Sequence, residues 1–282
     1  MSADPTSPPF DPGAVLAWGL PRLRDLPWRT TRDPWAILVA EVMLQQTQAA
    51  RVAPRWVRFL ERFPSPAVCA SAPLADVLRE WHGLGYPRRA RNLHAAAALI
   101  VDRHGGRLPD DLDGLRALPG VGPYTARSIL AFGAGRDVGV VEKNIARVLA
   151  CTCGRRLTPK AAQELADSLV PQGEGWAWNQ VLMDLGATRC RPMPRCADCP
   201  VAPSCTWHIS GHPPPDPAVG SAGVSTAQAP YEGSDRQARG AVLRTLLDGA
   251  RPAAELPDRI VATLVADGLV ERTPDDIVRL PT

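Results

Sequence analysis

Four cysteines crowd into a short stretch near residue 200, with a spacing that suits metal binding. They follow the pattern C-x5-C-x2-C-x5-C and are Cys190, Cys196, Cys199 and Cys205. In a reducing compartment such a cluster indicates a metal or cluster site rather than disulfides. Four thiolates can hold zinc or a 4Fe-4S cluster. Zinc sites usually pair two C-x2-C hooks, and only the central pair is close here. The spacing therefore favours iron–sulfur, while a zinc site that uses His208 or His212 stays open.

A single charged side chain, Glu41, interrupts the apolar segment PWAILVAEVMLQQTQ at residues 34–48. Helical spacing places Ile37, Leu38 and Leu44 on the same face as this acid. Burial of that face would raise the pKa of the carboxyl group and let it keep a proton near neutral pH. Glu41 could then act as a general acid toward a leaving group. A rotated helix with Glu41 in solvent fits the spacing equally well.

The segment LDGLRALPGVGPYTARSILAFGAG predicts two helices joined by a tight hairpin. Gly120 and Gly122 give the turn its backbone freedom, and Pro123 suits the first turn of the second helix. We expect the hairpin amides to point outward beside a helix N-terminus, where a phosphate can bind. An ordinary connection between two helices is the alternative.

A second glycine-containing turn, HGLGYPRRARNLH, combines an aromatic ring with basic side chains. Tyr86 is followed closely by Arg88, Arg89 and Arg91. This mixture suits a ring wedged into a base stack while guanidinium groups hold the nucleic-acid backbone. A solvated helix face is the alternative.

Glu142 is the second candidate acid. In VVEKNIARVLA, residues 140–150, it lies at the entry to a predicted helix, where helix amides would keep it ionised. With a protonated Glu41 it would form a pair of the kind that cleaves glycosides. One acid would protonate the leaving group while the other stabilises a cationic sugar. Alternatively, Glu142 serves only as a helix cap.

The elements that must position these residues are helical. The chain has 282 residues, 45% of them hydrophobic and 22% charged, which suffices for one large or two modest cores. No stretch alternates long enough to predict a strand before residue 210, so we expect an all-α fold. The predicted helices span 12–24, 34–48, 51–62, 74–81, 88–104, 112–117, 123–134, 143–151, 159–169 and 176–186.

The sequence predicts three regions. Residues 1–210 form the main domain, and 211–230, rich in proline, glycine and alanine, read as a flexible linker. Residues 231–282 hold two helical patterns and a hairpin, which suggests a small winged-helix-like module. The remaining cysteines are expected to be small buried hydrophobic residues. These are Cys69, Cys151 and Cys153.

Composition limits the location and the partners. No run of 18 apolar residues exists, which excludes a transmembrane helix, and the N-terminus lacks a signal-peptide pattern, so we expect a cytoplasmic protein. Only two of the 32 basic residues are lysines. Arginine suits bidentate phosphate contacts, although a GC-rich coding bias would give the same skew. The net charge of +3 requires any nucleic-acid surface to arise from local clustering.

In this order the motifs resemble those of adenine DNA glycosylases of the MutY type, in the helix-hairpin-helix superfamily that includes endonuclease III. The resemblance covers roughly residues 14–207. Its motifs are LPWR, EVMLQQTQ, GLGY with ARNLH, LPGVGPYTA, MDLGA and the cysteine cluster. It implies a two-lobed fold with a 4Fe-4S lobe. It also implies removal of adenine opposite 8-oxoguanine or guanine, by base flipping and hydrolysis of the N-glycosidic bond, within the nucleoid.

The resemblance also implies residue roles. Glu41 matches the general acid that protonates N7 of adenine, and Glu142 falls where the family has its catalytic aspartate. Tyr124 and Asn144 match residues that assist catalysis. The residues matched to DNA or substrate contacts, or predicted above to make them, are Trp28, Arg29, Gln45, Gln46, Tyr86, Arg88, Arg91, Gly120, Gly122, Arg147 and Asp184.

Four departures from the family pattern affect these roles. Glu142 is one methylene longer than the family aspartate, and Asp184 is one shorter than the usual glutamate. The first cysteine interval is five residues where the family has six. The tail is too short for the Nudix-like domain that reads 8-oxoguanine. Relatives that cut the strand carry a lysine where this chain has Tyr124, so we expect a monofunctional enzyme.

We therefore expect a monomeric glycosylase acting on double-stranded DNA that carries a mispair or an oxidised guanine. DNA should lie across the cleft between the lobes. Three alternatives stay open: a related glycosylase for another damaged or mispaired base, a lesion-binding protein weakened by Glu142, and a zinc-stapled DNA-binding module.

Overall fold

The structure, a computed structural model, describes residues 10–222 and 230–282. This part of the chain is mostly helical, as predicted. Its α-helices are α1 (Pro12–Gly19), α2 (Pro34–Leu44), α3 (Ala49–Arg62), α4 (Pro66–Ser71), α5 (Leu74–Trp81), α6 (Arg88–His104), α7 (Leu112–Arg116), α8 (Pro123–Phe132), α9 (Lys143–Cys153), α10 (Pro159–Ser168), α11 (Gly175–Thr188), α12 (Thr206–Ile209), α13 (Asp235–Leu247) and α14 (Asp258–Ala266). The strands are β1 (Arg251–Pro252), β2 (Glu271–Arg272) and β3 (Ile277–Arg279).

All ten helices predicted between residues 12 and 186 are present, although α1 and α2 end earlier than expected. Helix α4 is absent from the predicted helices, because six residues are too few for helical periodicity to show. Its start nevertheless carries local signals. The backbone N–H of Val68 donates to the Ser65 hydroxyl over 3.3 Å, and Pro66 occupies the first turn.

The chain divides into two compact units, and the first comprises residues 1–25 and 126–227. Helices α9 and α11 pack against each other in it. Their approach requires a glycine, since a Cβ atom at Gly186 would lie 2.4 Å from the carbonyl oxygen of Asn144. The buried Trp178 ring stacks on Phe10, with ring centres 6.0 Å apart.

Residues 211–222 belong to this core, where the sequence predicts a flexible linker. Ala218 and Ala222 are buried within it. The Ser221 hydroxyl accepts a hydrogen bond of 3.1 Å from the backbone N–H of Leu157. Residues 223–229 of the expected linker lie outside the described residues.

The second unit comprises residues 26–125 and 228–282. Residues 1–210, predicted as a main domain with two lobes, contribute to both units, and that domain boundary stays a prediction. Helix α2 lies in the core of the second unit, where every residue from Trp35 to Met43 is buried. The indole N–H of Trp56 donates to the carbonyl of Ala36 over 2.8 Å, which ties α3 to α2.

Residues 231–282 form a small module inside the second unit. Strands β2 and β3 pair antiparallel and confirm the predicted hairpin, and β1 adds a third strand in the order β1-β3-β2. Helices α13 and α14 pack together in the same module. Two helices and a small sheet are the elements that the winged-helix-like prediction requires; that classification stays a prediction.

Among the described helices, none has the length and hydropathy needed to cross a membrane.

Candidate active site

Glu41 is buried, which is one of the two arrangements that its spacing in the sequence allows. It lies near the C-terminal end of α2 with only 5% of its surface exposed. The helix begins at a proline, and Asp33 accepts a hydrogen bond of 3.0 Å from the backbone N–H of Trp35. A rotated helix with Glu41 in solvent is therefore excluded.

The end of α2 is held by a buried arginine, Arg89. One guanidinium nitrogen donates to the carbonyls of Val42, Met43 and Gln45 over 2.8, 2.9 and 2.6 Å. The other reaches the Thr47 hydroxyl, at 3.1 Å, and the carbonyls of the turn at residues 84–85. The sequence pattern predicts that Arg89 faces a nucleic-acid backbone. Instead it joins the helix that carries Glu41 to the GLGY turn. The carbonyl groups at the end of that helix and in that turn have no backbone donors, and Arg89 supplies donors to them.

Two predicted DNA-contacting residues adopt left-handed backbone conformations. Gln46 has φ = 57° and Tyr86 has φ = 49°. Such conformations are costly for residues other than glycine and cluster at functional sites. The guanidinium of Arg89 lies 5.5 Å from the centre of the Tyr86 ring. Gln45 caps the C-terminal end of α2 and is half-buried.

Arg88 and Arg91 contact the C-terminal module. Arg88 pairs with the Asp267 carboxylate, and Arg91 donates to the Asp267 carbonyl. Arg239 of α13 binds the same carboxylate. The hydrogen bond from Arg88, followed by that from Arg239, holds the pKa of Asp267 below its usual value. Both expected DNA-contacting arginines thus have an intramolecular partner, and their contact with DNA stays a prediction.

The predicted helix–hairpin–helix is present as α7, a turn and α8. Gly120 has φ = 80°, and a Cβ atom there would lie 2.9 Å from the Cβ of Asn92. A Cβ at Gly122 would meet nothing within 4 Å, so space is open beside this residue. Tyr124 lies half-buried in the first turn of α8.

Trp28 and Arg29, two of the residues matched to DNA or substrate contacts, lie in a short 3-10 helix, Pro27–Arg29. Trp28 is buried and meets the Trp56 ring edge-on, with ring centres 6.3 Å apart. Arg29 is half-buried. Packing accounts for the position of Trp28, while the contact of either residue with adenine stays a prediction.

Glu142 caps helix α9. Its Oε1 atom accepts hydrogen bonds from the backbone N–H groups of Asn144, at 2.7 Å, and Ile145, at 2.9 Å. Burial nevertheless raises the pKa of Glu142, against these hydrogen bonds and the charges of Lys143 and Arg24. The sequence predicts that the amides dominate and keep the carboxylate ionised, whereas in the structure burial has the larger effect on the pKa.

Two other residues predicted to contact DNA have partners within the first unit. Asp184, buried on α11, accepts from the backbone N–H of Arg24 at 2.8 Å and from its Nε at 2.7 Å. Arg147, also buried, pairs with Asp216 at 2.8 Å. These contacts anchor the segments around residues 24 and 216, and DNA binding by Asp184 and Arg147 stays a prediction.

The four clustered cysteines line one small cavity of about 20 Å³. Val201 and Trp207 contribute apolar wall to it. Burial, together with the neighbouring Cys196 and Cys205, raises the pKa of Cys199 to about 11. Four thiols gathered in an apolar wall fit a cluster or a metal ion, whose positive charge would favour the thiolate forms.

A fifth cysteine also lines this cavity, and no spacing pattern in the sequence points to it. Cys151 is buried on α9, as expected, and its carbonyl accepts a 3.2 Å hydrogen bond from the Cys205 thiol. A hydrogen bond with Cys151, then burial, raises the pKa of Cys190. Cys151 lies 39 positions before Cys190, so no local spacing pattern connects it to the cluster.

Histidines approach the same cavity from α12 and the residues after it. The ligand atoms of Cys196, His208 and His212 lie within 4.8 Å of one another, a candidate metal-binding group. His212 Nε2 is 3.5 Å from the Cys196 sulfur. The structure thus places histidine nitrogens beside the thiols, as the zinc alternative requires.

Known proteins are similar to this chain in sequence and in fold. Residues 39–172 match the family described as HhH-GPD superfamily base excision DNA repair protein. The adenine DNA glycosylase of Mycobacterium tuberculosis is 42% identical over 95% of this chain and 92% of its own length. Human adenine DNA glycosylase is 39% identical over 68% of this chain, which corresponds to 38% of the human protein.

Among solved structures, a thermostable thymine-DNA glycosylase matches with a TM-score of 0.68 and 30% identity over 71% of this chain and 95% of that one. An endonuclease III in a DNA complex shares the fold, with a TM-score of 0.61 and 24% identity over 70% of this chain and 92% of its own. The helix–hairpin–helix, the buried Glu41 and the long match to curated relatives agree. This chain therefore belongs to the adenine DNA glycosylases of the HhH-GPD superfamily.

Proposed function

We propose that this chain is a monofunctional DNA glycosylase that removes adenine mispaired with 8-oxoguanine or guanine. The observation that carries the proposal is a single acid, Glu41, buried in the helix that the family pattern assigns to the general acid. Relatives named adenine DNA glycosylase align with nearly the whole chain. The alternatives of another base or a lesion-binding protein lack such support.

The proposed reaction needs two carboxyl groups in different states. The target base leaves the duplex, because its reactive atoms are inaccessible within the stack. Glu41 donates its proton to the adenine ring, and the bond from the sugar to the base breaks with its electron pair going to adenine. The ionised form of Glu142 stabilises the cationic sugar, which water then attacks to leave an abasic site.

Hydrogen bonds from two backbone amides suit Glu142 to that role. Its carboxylate is already oriented by two hydrogen bonds, so little reorganisation accompanies the appearance of positive charge. Tyr124 occupies the position at which strand-cutting relatives carry lysine, which leaves water as the nucleophile. Asn144, whose backbone N–H binds Glu142, helps to position that acid.

We further propose that Cys190, Cys196, Cys199 and Cys205 bind a 4Fe-4S cluster. Such a cluster is a centre for one-electron chemistry and, held by four thiolates, cross-links the loop that carries them. The apolar wall around the thiols would exclude water from it. Purified protein should contain about four iron atoms per chain; zinc without iron would favour the zinc alternative.

The test of the enzymatic proposal is release of adenine from duplexes with different mispairs. We expect single-turnover release from 8-oxoguanine:adenine and guanine:adenine pairs. Glu41→Gln should slow it by roughly 100- to 10,000-fold, the usual contribution of a general acid, while DNA affinity is retained. Glu61→Gln, which changes an exposed acid on α3, is the matched control. Undiminished release by Glu41→Gln would remove this residue from the acid role.

A further inference from the structure

A cavity of about 810 Å³ lies within the second unit, between the GLGY turn and helix α13 of the C-terminal module. Its volume is within the range of ligand-binding clefts, about 300–1,000 Å³. Gln46 and Tyr86, the two residues with left-handed backbone conformations, line it. The cavity therefore adjoins residues already assigned to DNA contact and adds to them a wall from the module.

The lining of this cavity is strongly basic. Its charged residues are Arg51, Arg88, Arg236, Arg239, Arg244 and one acid, Asp267. Asp267 is shared between Arg88 and Arg239, so one negative charge serves two guanidinium groups. Arg236 donates to the Tyr86 hydroxyl at 3.1 Å, so the five arginines share the wall with a single carboxylate. The wall thus keeps a clear excess of positive charge.

Two of these arginines are available for an external anion. Arg51 on α3 and Arg244 on α13 are exposed, and neither has an ion-pair partner within residues 10–222 and 230–282. Burial, then the charges of Arg244 and Arg55, lowers the pKa of the nearby His82. The electrostatic part of that shift, smaller than the part due to burial, reflects the positive charges of Arg244 and Arg55 near His82.

We propose that this cavity binds the phosphodiester backbone of DNA, with Arg51 and Arg244 as phosphate contacts. The C-terminal module would then extend the DNA-binding surface of the enzyme. The proposal rests on the DNA-directed function proposed above.

The chemistry of the wall selects this ligand. Guanidinium groups bind phosphate oxygens in a planar, bidentate geometry. Two such groups on separate elements suit a chain of phosphates better than one small anion. Sequence-reading would require polar groups matched to base edges, whereas backbone binding needs only positive charge. The low net charge of the chain, +3, makes this local concentration of arginine distinctive.

The test is the salt dependence of DNA binding. Arg51→Ala and Arg244→Ala should each weaken binding of a short duplex roughly tenfold at moderate salt. Each should also reduce the slope of log affinity against log salt by about 1, because one phosphate contact is lost. Matched and guanine:adenine duplexes should lose affinity equally, since both carry the same backbone. Unfolding temperatures of the variants verify that each still folds.

Arg251→Ala is the matched control, because Arg251 lies in the same module but outside the cavity. It should leave affinity and slope unchanged. Wild-type slopes in both cavity variants would overturn the proposal, and so would a loss confined to the mispaired duplex. Binding to matched DNA does not require base release, so failure of the proposed catalytic function would be seen separately.

Discussion

At the scale of single residues, Glu142 shows two opposed effects on one carboxyl group. Two helix amides favour its ionised form, while burial favours the protonated form and has the larger effect on the pKa. A group with a raised folded-state pKa binds more protons when folded, so the free energy of unfolding falls as the pH rises above 4.5, its ordinary value. At neutral pH Glu142 thus opposes folding, as expected where a site residue is placed at the expense of stability.

Glu142→Gln should therefore stabilise the protein at neutral pH while it reduces base release. The amide oxygen of glutamine can still accept the two hydrogen bonds, and the buried charge is gone. The gain in unfolding temperature over the wild type should increase as the pH is raised from 4.5. Thermal unfolding across this range measures it, with the charge-retaining Glu142→Asp as control. Equal stability of Glu142→Gln and the wild type at every pH would contradict the burial effect.

At the scale of elements, Arg89 connects the helix that carries the proposed acid to the turn that carries Tyr86. Six oxygen atoms accept hydrogen bonds from its two terminal nitrogens. Arg89→Lys keeps the charge but cannot reach both groups of carbonyls, because a single ammonium replaces the planar fork. The replacement should lower the free energy of unfolding by about 3 kcal/mol, because buried carbonyls lose their donors.

Denaturant unfolding measures this loss, and Arg103→Lys is the control, because Arg103 lies exposed on the same helix. Base release should also fall in Arg89→Lys, since α2 positions Glu41. A variant as stable as the wild type would show that solvent can replace the guanidinium at these carbonyls.

The sequence predicted elements better than contacts. The apolar run around Glu41 predicted its helix, because hydrophobic periodicity is a local property, but it left the burial of the acid open, since that depends on how the helix packs. The turn at the hairpin glycines was equally predictable, since Gly120 has a positive φ that favours glycine. The role of Arg89 was not, because its acceptors come from two stretches, residues 42–47 and 84–85, that lie far apart in the sequence. Cys151 was missed for the same reason, as only the fold brings it to the other thiols.

At the scale of the whole molecule, Asp267 shows how the C-terminal module joins residues 26–125. Its partner Arg88 lies 179 residues earlier in the chain, and Arg239 comes from the module itself. The carboxylate is buried, with 7% of its side chain exposed, so its pair with the largely buried Arg239 is less screened than a surface ion pair, while the side chain of Arg88 is mostly exposed. The backbone N–H of Ala75, which donates to the carbonyl of Pro281 over 3.0 Å, adds a second link.

Asp267→Asn should loosen the module without unfolding it. The amide keeps one acceptor oxygen but loses the charge that two guanidinium groups share, and the expected cost is about 2 kcal/mol. Amide hydrogen exchange should therefore quicken in residues 231–282 and around Arg88, while the first unit is unaffected. Asp235→Asn is the control, because Asp235 forms an exposed pair with Arg259 in the same module.

The pKa of Asp267 is lowered in the folded protein. The stabilisation from its carboxylate is therefore present above pH 3.8, the ordinary pKa value, and is lost as the pH falls through the folded-state value. The difference between Asp267→Asn and the wild type should shrink in acid for that reason. Unchanged exchange in the module would show that its apolar contacts hold it without the carboxylate.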